Sequence, residues 1–166
     1  ALLISPSASS SALTALEGDA TDEAPGRLWR TVAPDALQAR VIADDLDMRG
    51  VTSVAVIAQD GAYGTGLADE LEAAFGGTVE RFTFDSASAR NAAATDAGAS
   101  GAEEVLFFGS QTSDVTAFVL FADSFAGYAD KNLFLSDSAA NRDFLRDASA
   151  ASGLFVGARG VAGGLG

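Results

Sequence analysis

Residues 51–75, VTSVAVIAQDGAYGTGLADELEAAF, decide how the chain is read. Val54, Ala55, Val56, Ile57 and Ala58 form a short unbroken apolar run, the mark of a strand covered on both faces. Gln59, Asp60 and Gly61 are turn residues. Leu67, Leu71 and Phe75 then recur every fourth residue, one stripe of a helix. Gly76 and Gly77 stop that helix. A strand leading through a polar turn into a helix is half of a βαβ unit. In open α/β sheets ligands gather at the carboxyl ends of strands, so residues 59–63 are the first place to look for function.

Working outward, the same alternation repeats. Residues 27–32 suit a short strand in which Trp29 is expected to be packed. Asp35 opens a long helix and, with Gln38, makes a capping-box pattern. Leu37, Val41, Ile42 and Leu46 are its expected inner stripe, Asp44, Asp45 and Asp47 its wet face, and Gly50 its stop. Those acids lack the glycine and spaced oxygen ligands of a calcium loop, so no metal is assigned to them. Downstream, TVERFTF at 78–84 reads as an outer parallel strand, and the alanine-rich 87–100 as a helix with a thin inner stripe. Strands follow at 103–110 and 131–136, with a helix at 113–125 between them that turns Val115, Phe118, Val119 and Ala122 inward. A helix at 142–149 carrying Phe144 and Leu145 and a fifth strand at 154–158 complete the pattern. The expected class is α/β: a doubly wound parallel sheet of about five strands with helices on both faces. Its simplest strand order is 2-1-3-4-5, counted from the strand at 53.

Composition narrows the function. The chain has 166 residues, 48% of them hydrophobic, enough for one domain with a real core. No apolar run approaches ~20 residues, so no direct membrane insertion is expected. A net charge of −13 speaks against nucleic acid and anionic lipid as partners. Cysteine is absent, which removes disulfides and thiolate metal sites. Histidine is absent, which removes the usual general base, the activated serine and cysteine nucleophiles and most zinc sites. The expectation is a binding protein rather than an enzyme, with no catalytic residue, metal or cofactor. Residues 1–10, ALLISPSASS, lack the basic and long apolar regions of a signal peptide.

In the order 2-1-3-4-5 the first and third strands meet at the switch point. The loops 59–63 and 109–112 then share an edge with Asp137 from the end of the fourth strand. Tyr63 offers a flat apolar face and a phenol. Asp137 can pair with an ammonium group, or merely cap the next turn. Gln111 can donate or accept. Ser7 and Ser9, after the short strand Leu2-Leu3-Ile4, can present hydroxyls and backbone N–H groups to an anion, or can form a plain solvated loop. Other readings fit less well. Gly64-Thr65-Gly66 lacks the remaining features of a phosphate loop. Gly109-Ser110-Gln111 is not a nucleophile elbow, and no histidine exists to activate Ser110. Lys131 lies at the wrong end of its strand for a receiver domain.

Two stretches carry a resemblance. AVIAQDGAYGTGLADELEAAFGG, with Asp60 shortly before Tyr-Gly-x-Gly-Leu-Ala, and LISPSASSSALT are similar to segments of type I periplasmic solute-binding proteins. These are the branched-chain amino-acid receptors of ABC importers. LWRTVAPDALQAR resembles the segment that crosses between the two lobes of that family. The resemblance implies that residues 1–33 are a stump of the first lobe and the crossover. It makes 34–158 the second-lobe α/β domain and 159–166 the start of a return crossover. It implies that Ser7 and Ser9 hold the α-carboxylate and ammonium of an amino acid, that Tyr63 lies over it and that Asp137, or Ser138 one residue on, takes the ammonium. Gln111 stands where the family often has a second aromatic, and Ser11 where it usually has proline. The partners implied are an amino acid or analogue and the membrane permease of an ABC importer. The location implied is periplasmic or extracytoplasmic. A ligand-sensing or vestigial receptor of the same fold is the alternative.

Overall fold

The strand read first in the sequence is the middle of the architecture. β3 (Ser53–Gln59) lies between two partners in a five-stranded parallel sheet. One partner is β4 (Thr78–Phe84) and the other β5 (Glu104–Phe108). β6 (Asn132–Leu135) pairs with β5, and β7 (Arg159–Gly160) closes the far edge, giving the order β4-β3-β5-β6-β7. This is the expected 2-1-3-4-5 order. A separate pair, β1 (Leu3–Ser5) and β2 (Leu28–Arg30), is also parallel. The computed structural model describes residues 2–16, 26–151, 153–154 and 158–160, with the backbone alone at 15 and 16.

The period-two alternation of the strands divides the core between the two faces. Val54, Val56 and Ala58, with Leu106, Phe108 and Phe134, face α2 (Asp35–Met48) and α3 (Gly64–Ala74). Ala55 and Ile57, with Val105, Phe107, Leu133 and Leu135, face α4 (Ala87–Ala99) and α5 (Thr112–Ser124). Helices on both sides of a parallel sheet make the doubly wound fold. The thin stripe of α4 has a physical purpose. Ala93, Ala94, Ala97 and Gly98 are buried and let the helix lie close to its neighbours. The Tyr128 ring fills the space, and its hydroxyl donates to the Ala94 carbonyl at 2.7 Å. A Cβ at Gly98 would sit 2.8 Å from that ring. Phe107 stacks on Phe118 with centroids 4.5 Å apart, and Phe118 meets Tyr128 edge-on.

Several local expectations are corrected. Asp35 does not cap α2: Pro34 holds the N-cap position without a side-chain bond, and Asp35 is buried in the first turn. The inner stripe of α2 is Ala39, Ile42, Ala43 and Leu46, whereas Leu37 and Val41 are about half exposed, at 49% and 51%. Small residues carry the stripe because α2 packs closely on α3 and the sheet. Asp45 is only partly wet and pairs with Arg49 and Arg159. Trp29 is not packed; it is 52% exposed and its indole N–H donates to the Gly26 carbonyl. In α6 (Arg142–Asp147), Phe144 is buried but Leu145 is exposed. Among the described residues the fifth strand is the short ladder Arg159–Gly160, and residues 155–157 of the expected strand at 154–158 lie outside the described residues. α1 (Ser11–Leu16) follows the first loop.

Candidate functional site

The carboxyl ends of β3, β5 and β6 and the loop after β1 enclose a cleft of about 380 Å³. Residues 7–10 form one wall; Ala62, Tyr63, Ser110, Asp137 and Ser138 form the other. Four of the five residues expected to bind ligand, Ser7, Ser9, Tyr63 and Asp137, are therefore brought together. Gln111 is not part of the lining; it is exposed at the N-cap position of α5, and its neighbour Ser110 takes the place in the cleft.

Glycines place Tyr63. Gly61 has φ +135°, which turns the chain off β3. A Cβ at Gly64 would lie 2.2 Å from the Gln59 carbonyl oxygen and 2.7 Å from that of Phe108. Only glycine lets α3 start directly against the strand ends. Tyr63 is thereby turned toward β6, and its hydroxyl donates to Asp137 Oδ1 at 2.5 Å. Burial, and then the hydrogen bond to the Asp137 carboxylate, push the phenol's pKa well above its ordinary value. Asp137 sits on a 3₁₀ turn, Asp137–Ala139, that is laced to its surroundings. Ser136 Oγ donates to the Gly109 carbonyl at 3.3 Å and lies 3.0 Å from Ser138 Oγ. Asn141 caps α6 by accepting from the Phe144 N–H, and its amide donates to Ser138 O and Thr112 Oγ1.

The serine wall is held from behind. Arg30 donates to the carbonyls of Ser9 and Ser10 at 3.0 and 3.1 Å and to Thr14 Oγ1 at 2.5 Å. The Asp35 N–H donates to Ser9 O at 2.9 Å, and the Ala8 N–H donates to Ser5 Oγ. The carbonyls at 9 and 10 are thus engaged, while among the described residues no acceptor meets the N–H groups of Ser7, Ser9 and Ser10. A loop with free donors and occupied acceptors favours a negative group.

Asp35 stands behind that loop. It is 1% exposed, and neither carboxylate oxygen reaches a hydrogen-bonding partner among the described residues. Burial raises its pKa most, and the negative charges of Asp137 and Glu70 add to this; the Ser9 hydroxyl and Arg30 act the other way.

Sequence reasoning missed Asp35, Gln59 and Ser110 as parts of the site. The capping pattern at Asp35 masked its burial. Gln59 is placed in the turn by its position, but its reach to Ser110 across adjacent strands follows only from the register that sets Ala58 beside Phe108. The Ser110 hydroxyl donates to an amide oxygen, Gln59 Oε1, and not to a base. The chemistry assembled here is hydrogen bonding and ion pairing.

The fold is shared with solved structures. An extracellular ligand-binding receptor from Verminephrobacter eiseniae aligns with a TM-score of 0.63 and 21% identity, over 75% of this chain and 36% of that one. An ABC transporter substrate-binding protein from Desulfitobacterium hafniense aligns at 0.64 and 22%, over 82% of this chain and 40% of that one. The chain therefore spans well under half the length of either protein. The likeness at this identity shows the fold alone, a doubly wound parallel α/β sheet consistent with a lobe of the type I periplasmic-binding-protein fold. No family model matches the sequence, and no curated protein matches it significantly.

Proposed function

We propose that the chain is the ligand-recognising lobe of an extracytoplasmic substrate-binding protein serving an ABC importer. Its ligand is an amino acid, branched-chain or related, or a similar small amphoteric solute. One observation carries this reading. The loop of Ser7, Ser9 and Ser10, whose backbone N–H groups meet no acceptor among the described residues, lines one small cleft together with Asp137 and the Tyr63 phenol. The first polarity suits a carboxylate and the second an ammonium group. The volume is near the lower end of the range for small-molecule sites. The likeness to proteins described as a ligand-binding receptor and an ABC transporter substrate-binding protein supports the same role. A second lobe closing over the cleft would supply the remaining burial, and a membrane permease would be the macromolecular partner.

The test is a thermal-shift screen of the intact protein containing this chain, against amino acids, their amides and small carboxylates. A ligand at about a hundred times its Kd stabilises the folded state by ~2.7 kcal/mol, a shift of several degrees. Amino acids are expected to produce it, and amides lacking the carboxylate are not. Tyr63→Ala and Asp137→Ala are then expected to abolish the shift. Unchanged affinity in both variants would place the site elsewhere. A screen in which no amphoteric solute binds would remove the reading.

A further inference from the structure

We infer that Ser110 is a further specificity-determining residue, and that Gln59 holds its hydroxyl as a pure acceptor, so that the inner wall of the cleft takes a primary ammonium group and rejects an N-methylated one. This rests on the proposal above that the ligand carries an amine. It follows from tracing where each proton on that wall must lie.

The Ser110 N–H lies 2.8 Å from a terminal atom of the Gln59 side chain. A backbone N–H can only donate, so that atom is the amide oxygen. The amide nitrogen then faces Asp114 Oδ2 at 3.5 Å, where only a donor fits, and the orientation of the Gln59 side chain is fixed twice over. Asp114 is itself anchored by Arg90, which is 8% exposed and donates to Oδ1 at 2.7 Å. The Ser110 hydroxyl is also 2.8 Å from Gln59 Oε1. An amide oxygen has no proton to give, so Ser110 gives its own and turns lone pairs to the cleft.

The same logic runs around the wall. Tyr63 gives its proton to Asp137, leaving lone pairs on the phenol oxygen. Ser136 gives its proton to the Gly109 carbonyl. Ser138 Oγ lies 3.0 Å from Ser136 Oγ, and either hydroxyl can be the donor in that bond. The side-chain oxygens that Tyr63, Ser110 and Asp137 bring to the lining are therefore acceptors. A primary ammonium has three N–H donors to meet them. A trimethylammonium has none, so entering this wall would strand acceptors that water had satisfied.

The experiment is titration calorimetry on the intact protein with glycine, L-alanine, L-valine and L-leucine, each paired with its N,N,N-trimethyl derivative. In the parent protein, methylation is expected to weaken binding at least a hundredfold. Ser110→Ala should weaken the primary amine roughly tenfold and shrink the discrimination ratio. Ser110→Thr, which keeps the hydroxyl, should restore it. Gln59→Met, which removes the acceptor that orients Ser110, should shrink the ratio in the parent and add nothing in the Ser110→Ala background. Far-UV dichroism melts of each variant separate a lost fold from lost selectivity. Amines that bind with a ratio untouched by Ser110→Ala and Gln59→Met would overturn this assignment and leave the receptor reading standing. Trimethyl derivatives binding as tightly as amines would do the same. Failure of every amine and every derivative to bind would overturn both.

Discussion

The two edges of the five-stranded sheet are both polar and behave in opposite ways. At the amino edge, Arg49 forms a bidentate pair with the wholly buried Glu104, at 2.5 and 3.0 Å, and a further bond to Asp45. Glu103 accepts from the Thr52 N–H and hydroxyl, at 3.0 and 2.6 Å. Lys131 Nζ donates to the carbonyls of Ser100 and Ala102, at 2.9 and 2.6 Å. These groups are satisfied by the chain itself. At the carboxyl edge the capacity is not used up: among the described residues the amides at 7, 9 and 10 meet no acceptor, and the Ser110 hydroxyl, having donated to Gln59, keeps its lone pairs. The lesson is that polarity alone does not mark a site. The mark is hydrogen-bonding capacity that the fold positions and does not use.

The sharpest break of this contrast is at the closed edge. Glu104→Ala removes a wholly buried carboxylate, leaves the partly exposed Arg49 guanidinium with Asp45 alone, and is expected to destabilise folding by about 2–3 kcal/mol. Urea denaturation measures this, while ligand affinity in the surviving native fraction should stay within about twofold. Next comes the open edge. Asp137→Asn should weaken amine binding by about tenfold to a hundredfold in calorimetry, with little change in the denaturation midpoint. Tyr128→Phe lies between the edges, in the core, and removes one buried hydrogen bond. A loss of about 1 kcal/mol in the same urea experiment is expected, and no change in affinity.

The smallest effect concerns Asp35, a buried acid behind the open edge whose carboxylate oxygens meet no hydrogen-bond donor in bonding geometry among the described residues. Its folded-state pKa is raised above the ordinary 3.8, chiefly by burial. Ionised Asp35 therefore opposes folding. That penalty is absent below the ordinary value and grows as pH rises from there through the folded-state value. Asp35→Asn should raise the melting temperature by a few degrees near pH 7, and the gap between variant and parent should close near pH 4. A gap independent of pH would show that Asp35 is not the group responsible.

The strand order and the five helices from Asp35 onward were legible because they rest on continuous signals, whereas α1 was not foreseen. The run Val54 to Ala58 and the stripe Leu67, Leu71 and Phe75 need nothing beyond themselves to be read. So was the placing of Tyr63 and Asp137 on one edge of the sheet, since β3 and β6 end on the same side with β5 between them. What was not legible depends on packing between elements. Leu37 and Val41 look like core by spacing, yet alanines occupy the inner face because α2 lies close to its neighbours. Asp35 looks like a cap because caps and buried first-turn acids share a pattern. Gln59 and Ser110 are 51 positions apart, and only the register of β3 on β5 joins them.

The position of Trp29 carries a practical consequence. It is the chain's single tryptophan and stands half exposed on the β1–β2 pair, away from both halves of the core. Intrinsic fluorescence excited in the indole band will therefore report on that two-stranded pair and not on the five-stranded sheet. Its emission in the native protein should already resemble that of a solvated indole and move little in urea. A flat fluorescence trace beside a cooperative far-UV transition is the expected result, and the colour of the emission becomes a probe for anything that comes to rest against the β1–β2 pair.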